Sequence, residues 1–442
     1  MLHGWQGDCL NGSRPLLVQI PCLQGHLEGS LRVPGDKSIA HRALILAAIS
    51  EGRSVITGLG DGGDNRSTAR VLRQMGVRIE SEGETTVVHG VGLKGLKPSS
   101  APLDCGNSGT TMRLLLGVLA GQPFEVDLVG DHSLSRRPMA RVLDPLRQMG
   151  LEVLAARDDD YPPLKVRGRT QLESITYHSP VASAQIKSAL LLADLWASGE
   201  SVIHEPALSR DHTERMLEYM GRPPTAGTIH VPGDLSSAAF LMTAALLRPG
   251  SKVTLRDVGV NPTRTGFLDV LDAMGAQIEL MNPRESNGEP RADLVVVHQP
   301  LRGVEVSGAL TVRAIDELPL VATLAARATG TTRIRDAAEL RVKESDRIAR
   351  MVQSLRSFGV QVDEHPDGMT VHGRGVTPLT AGQVEADGDH RVAMCGTLLG
   401  MNAEPGTMVS GIESVSTSFP GFFESVSTLS TTPWSFALPD PP

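Results

Sequence analysis

The sequence has 442 residues, of which few are aromatic. Aromatic side chains make up 3% of the chain, and the formal net charge is −8. Nucleic-acid-binding proteins rely on aromatic side chains that stack on bases or on a positively charged surface. We therefore expect no nucleic-acid partner. Any site for an anionic ligand must be built from a few local Lys and Arg side chains.

Cysteines and long apolar runs are also scarce. No C-x-x-C pair occurs, so the sequence predicts neither a disulfide framework nor a zinc cluster and favours a reducing, cytoplasmic location. No apolar run is long enough to cross a bilayer, so we expect no membrane partner. The cysteines are Cys9, Cys22, Cys105 and Cys395.

A short phrase recurs along the chain. It reads VLRQMGVRIE at 71–80, PLRQMGLEVL at 145–154, VLDAMGAQIEL at 270–280 and SLRSFGVQVDE at 354–364, with a weaker copy at 216–224. Each copy predicts an amphipathic helix that ends at a left-handed glycine and is followed by a strand. With the Ala/Leu-rich helices upstream, these phrases define six helix–strand–helix–strand units. The units begin near residues 38, 108, 183, 235, 316 and 390.

The first and fourth units open alike, with VPGDKSIAHRALILAA at 33–48 and VPGDLSSAAFLMTAALL at 231–247. This predicts an α/β fold of two similar domains with three units each, joined by a hinge at Pro34-Gly35 and Pro232-Gly233. The N-terminal domain is predicted to cover 36–233, and the C-terminal domain 16–35 plus 234–430. Residues 1–15 and the Pro-rich residues 431–442 are predicted to be disordered.

Charged and polar clusters that do not recur among the units mark candidate sites. A residue needed to fold a unit should occur in every copy, whereas a residue that performs chemistry should occur in one. Helix capping, simple turns and solvated charges are the alternative interpretation of each cluster. The clusters are PGDKSIAHR (34–42), CGNSGTTMR (105–113), HSLSRRPMAR (132–141), ASAQIKSALLL (182–192), AIDELPL (314–320), ELRVKESDRIAR (339–350) and DGDHRVAMCG (387–396).

Residues 339–350 are the strongest of these clusters. Lys343 and Arg347 are four residues apart, which predicts that they share one helix face. Exposed ion pairs contribute only about 0–1 kcal/mol, and the other units have ordinary residues at this place, so the cluster indicates a site. Asp316 lies between apolar segments, which predicts a raised pKa and a role as a base. The cluster at 387–396 lacks the ligand spacing of a metal site, so no metal is predicted.

The clusters lie at helix starts or strand–helix turns in both halves of the chain. Helix dipoles would direct their positive ends towards a common cleft. This arrangement suits one or two small substrates that carry several negative charges. The cations that would face each other are Lys37, Arg42 and Arg137 from one half and Lys343, Arg347 and Arg391 from the other.

These motifs resemble the enolpyruvyl transferases, in particular the EPSP synthase family. PGDKSIAHR, GNSGTTMR, SRRPM, RVKESDR and DHRVAM occur in that order, and the resemblance covers roughly residues 16–429. It implies two domains of three βαβαββ units each, in an inverse α/β-barrel-like arrangement that closes over the substrates. It implies no cofactor, and we expect a monomer.

The implied reaction transfers the enolpyruvyl group of phosphoenolpyruvate to the 5-hydroxyl of shikimate 3-phosphate, with glyphosate as an inhibitor. The implied catalytic residues are Lys37, Asp316, Glu344 and His390, and which of them is the acid or the base in each step stays open. The implied contacts of shikimate 3-phosphate are Lys37, Ser38, Arg42, Ser183, Ala184, Gln185, Asp316 and Lys343. Those of phosphoenolpyruvate are Lys37, Asn107, Gly109, Arg137, Gln185, Arg347 and Arg391.

The chain departs from the family pattern at two positions. Some members have Lys where Thr417 stands and a second Ser where Ala184 stands. A threonine cannot replace a cation, so the phosphate clamp should rest more on Arg347 and Arg391, and Ala184 could bind through its backbone N–H.

Two rival functions follow from the same motifs. UDP-N-acetylglucosamine enolpyruvyl transferase relies on a loop cysteine near residues 132–139, and no cysteine lies between Cys105 and Cys395. A non-catalytic anion-binding protein would not need carboxylates beside the cations, yet Asp316 and Glu344 are present.

Overall fold

The computed structural model describes residues 17–83, 85–158 and 160–436. Its buried apolar side chains form two clusters, one within residues 39–231 and the other within 18–33 and 235–434. The chain thus has two domains with separate cores. The predicted boundaries, at 35/36 and 233/234, fall between these clusters. The predicted extension at 1–15 lies outside the described residues.

Helices form the centre of each domain. Those of the N-terminal domain are α1 (Lys37–Ile49), α2 (Gly63–Gln74), α3 (Gly109–Ala120), α4 (Ala140–Met149), α5 (Ala184–Ala193) and α6 (His212–Met220). Those of the C-terminal domain are α7 (Leu235–Leu247), α8 (Gly266–Ala273), α9 (Gly308–Ala314), α10 (Leu318–Ala325), α11 (Arg347–Ser357), α12 (His390–Met401) and α13 (Phe422–Leu429). Short 3-10 helices cover Leu134–Arg136, Asp194–Trp196, Ala338–Val342 and Ile412–Thr417.

Strands pack against these helices. The first twelve are β1 (Leu17–Ile20), β2 (Glu28–Arg32), β3 (Glu51–Thr57), β4 (Arg78–Glu82), β5 (Thr85–Val91), β6 (Leu103–Asp104), β7 (Glu125–Val129), β8 (Glu152–Arg157), β9 (Tyr161–Arg167), β10 (Thr176–His178), β11 (Val202–His204) and β12 (Thr228–His230). The others are β13 (Lys252–Gly259), β14 (Glu279–Ser286), β15 (Glu289–Val297), β16 (Glu305–Val306), β17 (Thr331–Ile334), β18 (Gln361–His365), β19 (Gly368–His372), β20 (Gln383–Glu385) and β21 (Thr407–Ser410).

The sheets repeat from unit to unit. Four-stranded sheets have the orders β12-β3-β5-β4, β6-β7-β9-β8, β14-β15-β13-β2 and β16-β17-β19-β18, beside β1-β21-β20 and β10-β11. Strand β2 leads into α1 but pairs in parallel with β13, and β12 leads into α7 but pairs in parallel with β3. Strands β2 and β12 therefore each belong to the domain that the chain is leaving, and the chain crosses to the other domain directly after each of them.

The two similar openings contact each other at the hinge. The N–H of Asp36 donates to the carbonyl of Pro232 at 2.7 Å, and the N–H of Asp234 donates to that of Pro34 at 2.8 Å. The Asp36 side chain then caps α1, and the Asp234 side chain caps α7. Because capping side chains satisfy free N–H groups at a helix start, these pairs fix the two helix N-termini relative to each other.

The repeat predictions are confirmed in their local geometry. The glycine of the recurring phrase has a positive φ, from 75° to 117°, at Gly76, Gly150, Gly221, Gly275 and Gly359. The buried Ala/Leu-rich helices α1, α3, α5, α7, α10 and α12 begin within two residues of the predicted unit starts. Strand β1 pairs with β21, as predicted for a segment of the C-terminal half.

The prediction of disorder at residues 431–442 is wrong for its first part. Trp434 is only 3% exposed, and its Nε1 donates to the carbonyl of Pro21 at 2.9 Å. The hydroxyl of Thr432 accepts from the N–H of Gly25 at 3.0 Å. Residues 431–436 thus pack against the start of the C-terminal domain, because Trp434 finds an apolar site there. In the described ranges, none of the helices combines the length and apolar character of a bilayer span.

Candidate active site

Charged side chains of the two domains meet between them. Arg137 of the N-terminal domain lies with Nη1 3.5 Å from Oε1 of Glu344, and Arg210 pairs with Asp316. Near the rim, Nη1 of Arg141 lies 3.0 Å from Oε2 of Glu339. The cluster 132–141 of one half therefore meets the cluster 339–350 of the other half at a cleft between the two domains.

Lys37 is the first residue of α1 and points into this cleft. Its Nζ lies 2.8 Å from Oδ2 of Asp64, which is in the first turn of α2. Burial acts to lower the pKa of Lys37, but the nearby charges of Asp64 and Glu344 outweigh it and the net shift is upward. Sequence reasoning missed Asp64, because its segment is not among the charged clusters.

Arg42, one turn further along α1, is held by neutral groups. It is 3% exposed and donates to the hydroxyls of Thr213 at 2.7 Å and Ser188 at 2.6 Å, and to the carbonyl of Ser38 at 2.7 Å. Among the described residues, no carboxylate forms an ion pair with Arg42. Burial lowers its pKa to about 10. A buried guanidinium without a paired carboxylate is well suited to bind an anionic ligand.

Arg113 on α3 has the same kind of environment and was not among the predicted site residues. It donates to Oε1 of Gln185 at 2.8 Å, while Nε2 of Gln185 donates to the hydroxyl of Thr110 at 2.9 Å. Burial lowers the pKa of Arg113 to about 10. The signal was available, since Arg113 lies four residues after Gly109 in the cluster 105–113 and so shares its helix face.

Gly109 starts α3 between two arginines. A methyl group at Gly109 would lie 2.9 Å from Nη1 of Arg113 and 3.4 Å from Nη1 of Arg137. Arg137 also donates to Oδ1 of Asn107 at 2.9 Å. The absence of a side chain at Gly109 thus lets two guanidinium groups and a helix N-terminus converge.

The start of α5 adds neutral groups. Ser183 occupies the N-cap position without making a capping hydrogen bond, and Ala184 is the first helical residue. The first N–H groups of a helix have no partner within it, so this end can donate to an anionic oxygen. Ser38, in the first turn of α1, is half-buried.

Arg347 in the C-terminal domain is held by carboxylates. It is 1% exposed, its Nε donates to Oδ2 of Asp389 at 2.7 Å, and it pairs with Glu344. Burial alone would lower the pKa of Arg347, but the charges of Asp389 and Glu344 outweigh burial and raise this pKa.

The prediction that Lys343 and Arg347 share a helix face is wrong. The 3-10 helix ends at Val342 and α11 begins at Arg347, so residues 343–346 form a turn. Asp346 caps α11 by accepting from the N–H of Ala349 at 3.0 Å, which explains why the helix starts there. The turn leaves Nζ of Lys343 3.8 Å from Oδ1 of Asp316.

The prediction of a raised pKa at Asp316 is also wrong. Burial alone would raise it, but Arg210, Lys343 and Arg391 together hold the pKa well below its usual range. At Glu344, burial is likewise outweighed, chiefly by Arg347 and Arg137. Both carboxylates are therefore ionised in this arrangement.

The start of α12 contributes His390 and Arg391. Arg391 donates to the carbonyl of Asp316 at 2.8 Å and to the hydroxyl of Ser236 at 3.3 Å. Burial, and then the charge of Lys37, lower the pKa of His390 to about 3, so its ring is neutral. In the part of the chain that the structure describes, no group of three or more His, Cys, Asp or Glu has the arrangement of a metal site.

Thr417 lies across from the start of α2. A methyl group at Gly62 would lie 2.9 Å from the carbonyl oxygen of Thr417. Gly62 is two residues before Asp64, the partner of Lys37. The Thr417 backbone therefore faces the segment that carries Asp64.

Comparisons with known proteins show the family of this chain. A family model described as EPSP synthase (3-phosphoshikimate 1-carboxyvinyltransferase) matches residues 23–426. A 3-phosphoshikimate 1-carboxyvinyltransferase of Brevibacillus brevis is 47% identical over 413 residues, which cover 90% of this chain and 96% of that protein. One of Xanthomonas campestris pv. campestris is 51% identical over 412 residues, covering 90% and 93%.

A solved structure gives the same result for the fold. The EPSP synthase of Acinetobacter baumannii superposes with a TM-score of 0.83 at 40% identity, covering 94% of this chain and 98% of that one. Sequence and fold therefore match over nearly the whole length, and the chain belongs to the EPSP synthase family, a family of carboxyvinyltransferases.

Proposed function

We propose that this protein transfers the enolpyruvyl group of phosphoenolpyruvate to the 5-hydroxyl of shikimate 3-phosphate. The products are 5-enolpyruvylshikimate 3-phosphate and phosphate, in the shikimate pathway that leads to chorismate and the aromatic amino acids. The observation that carries the proposal is that Arg137 and Arg210 pair with the ionised Glu344 and Asp316 across the two domains, while Arg42 and Arg113 of the N-terminal domain bond neutral groups. Two anionic substrates and a proton-transfer reaction need this combination.

Shikimate 3-phosphate is assigned to the N-terminal side of the cleft. Its phosphate suits the start of α5, where Ser183 and the N–H of Ala184 can donate, and its ring lies towards Arg42. Asp316 then faces the 5-hydroxyl, with Lys343 beside it. The remaining assigned contacts are Lys37, Ser38 and Gln185.

Phosphoenolpyruvate is assigned to the arginines between the two domains. Arg137, Arg347 and Arg391 supply charge for its carboxylate and phosphate, because guanidinium groups bind both anions with paired hydrogen bonds. Gly109 leaves room for its methylene group. The remaining assigned contacts are Lys37, Asn107 and Gln185.

Proton transfer follows from the ion pairs. Asp316 accepts the proton of the 5-hydroxyl as its oxygen adds to C2 of phosphoenolpyruvate, while Lys37 or Glu344 delivers a proton to C3. Loss of a proton from C3 and departure of phosphate from the tetrahedral ketal then give the product. When substrate anions engage Arg137 and Arg347, those cations no longer lower the pKa of Glu344, so the carboxyl gains proton affinity at the moment it is needed.

The proposal is tested by an assay of phosphate release. We expect phosphate only when shikimate 3-phosphate and phosphoenolpyruvate are both present, and the enolpyruvyl product by mass spectrometry. UDP-N-acetylglucosamine in place of shikimate 3-phosphate is the control. Release with that sugar, or with neither acceptor, would overturn the proposal. The monomeric state and the cytoplasmic location stay predictions.

A further inference from the structure

Four consecutive residues at the start of α6 connect the two domains to each other and to Arg42. They are Arg210, Asp211, His212 and Thr213, here called the 210–213 segment. Helix α6 belongs to the N-terminal domain, since Met216, Leu217 and Met220 lie in its core. The first three residues of the segment nevertheless contact the C-terminal domain.

The central contact is a buried pair that crosses the interface. Nδ1 of His212 lies 2.7 Å from Oε1 of Glu289, and these residues are only 1% and 2% exposed. The second oxygen of Glu289 accepts from Nδ2 of Asn261 at 3.0 Å, and Asn261 also donates to Oδ1 of Asp211 at 2.7 Å. A buried carboxylate with two such partners costs free energy to separate from them.

The segment reaches the cleft at both of its ends. Arg210 pairs with Asp316, the carboxylate assigned to the 5-hydroxyl. The Thr213 hydroxyl accepts from Nε of Arg42 at 2.7 Å and donates to Ser188 at 2.7 Å. Thr213, whose hydroxyl orients Arg42, is thus the residue next to His212 of the interdomain pair.

We propose that the His212–Glu289 pair is a positioning device for the acceptor substrate. With the domains together it fixes the 210–213 segment, which places Arg210 against Asp316 and Thr213 against Arg42. Neither His212 nor Glu289 is assigned a substrate contact. The kinetic test of this inference rests on the proposed function. A second test measures domain closure and does not depend on turnover.

The test compares His212→Phe with the conservative His212→Asn, whose amide can replace Nδ1 as a hydrogen-bond donor. Loss of a buried hydrogen bond to a charged group predicts that His212→Phe raises the KM for shikimate 3-phosphate about 10-fold or more. We expect a much smaller change in the KM for phosphoenolpyruvate and recovery of most of the effect in His212→Asn. Tyr219→Phe is the matched control, because its hydroxyl bonds the carbonyl of Thr228 within one domain.

Small-angle X-ray scattering supplies the independent readout. We expect wild type and Tyr219→Phe to become more compact with shikimate 3-phosphate, and His212→Phe to need at least 10-fold more ligand for the same change. Glu289→Leu should need as much more ligand as His212→Phe does. The double variant should need no more ligand than either single variant. Additive effects, or equal changes in both KM values, would overturn the inference. Absence of turnover in wild type would instead overturn the proposed function.

Discussion

Two buried arginines of the N-terminal domain and two of the C-terminal domain are held in opposite ways. In the N-terminal domain, Arg42 and Arg113 bond hydroxyl, carbonyl and amide oxygens, and burial lowers the pKa of each to about 10. In the C-terminal domain, Arg347 bonds Asp389 and Glu344, and Arg264 lies 3.3 Å from Asp234 and 3.5 Å from Glu317. Carboxylates raise the pKa of both C-terminal arginines.

This difference separates stability from binding. A buried cation without a carboxylate is costly to the folded protein and gains most from an incoming anion. A cation already paired with carboxylates stabilises the fold and exchanges partners when an anion arrives. We therefore expect the N-terminal side to act as the receptor for the first anion, and the C-terminal side to supply carboxylates whose pKa values respond to it.

The largest expected effect is on Lys37, whose pKa is raised by the charges of Asp64 and Glu344. We expect Lys37→Met to lower kcat by more than about 1,000-fold, because it removes a proton donor and an electrostatic partner of the developing charge. The measurement is phosphate release at saturating substrates, with circular dichroism as the folding control. Near-normal turnover would remove Lys37 from the mechanism.

Substitution of matched arginines tests the contrast in stability. Arg347→Met leaves Asp389 and Glu344 buried without their cation and should lower the free energy of unfolding by about 3–5 kcal/mol. Arg42→Met should cost no more than about 1 kcal/mol, because Thr213 and Ser188 still bond each other at 2.7 Å. Urea unfolding of the ligand-free variants measures both values. Equal losses of unfolding free energy in the two variants would contradict the difference between the two domains.

The buried histidines His41 and His390, one in each domain, have pKa values shifted in the same direction. Burial lowers the pKa of His41 in α1 to about 3, as it does for His390 in α12. Between that value and about 6.5, the unfolded chain binds more protons than the folded one, so the free energy of unfolding falls as pH falls through this window.

His41→Phe tests this sign. The free energy of unfolding of wild type should fall by about 2 kcal/mol between pH 7 and pH 5 through His41 alone. In the variant this fall should be smaller by the same amount. Urea unfolding at the two pH values gives the difference. The same pH dependence in both proteins would show that His41 does not stay neutral in the folded state.

The smallest of these effects is expected at Gly109, which lies between the guanidinium groups of Arg113 and Arg137. Its added methyl group would displace Arg113, which a flexible side chain can accommodate at modest cost. We expect Gly109→Ala to raise the KM for phosphoenolpyruvate and the inhibition constant of glyphosate about 10-fold, with kcat changed less. Unchanged constants would place this turn outside the phosphoenolpyruvate site.

Much of this fold is readable from the sequence because each unit repeats the same local rules. The glycine of the recurring phrase and the Ala/Leu-rich helices depend on neighbours within about ten residues. The single-copy clusters likewise indicated Lys37, Arg137 and Arg347, since the internal repeats showed what folding alone requires.

What the sequence did not reveal depends on distant partners. The pKa of Asp316 is lowered by Arg210, which is far away in the chain and belongs to the other domain. Trp434 packs near Pro21, at the opposite end of the sequence. Local patterns carry no record of such contacts, so a raised pKa and a disordered tail were the natural expectations.

Calorimetric titration of shikimate 3-phosphate in the absence of phosphoenolpyruvate tests the central contrast most directly. Arg42→Met should weaken binding by about 100-fold, because it removes a buried N-terminal cation whose hydrogen bonds go to neutral groups. Arg391→Met, in the C-terminal domain, should stay within about threefold of wild type, because Nη1 of Arg391 already lies 3.7 Å from Oε1 of Glu317 and this arginine is assigned to phosphoenolpyruvate. Equal weakening in the two variants, or a larger effect of Arg391→Met, would contradict the division of labour between the two domains.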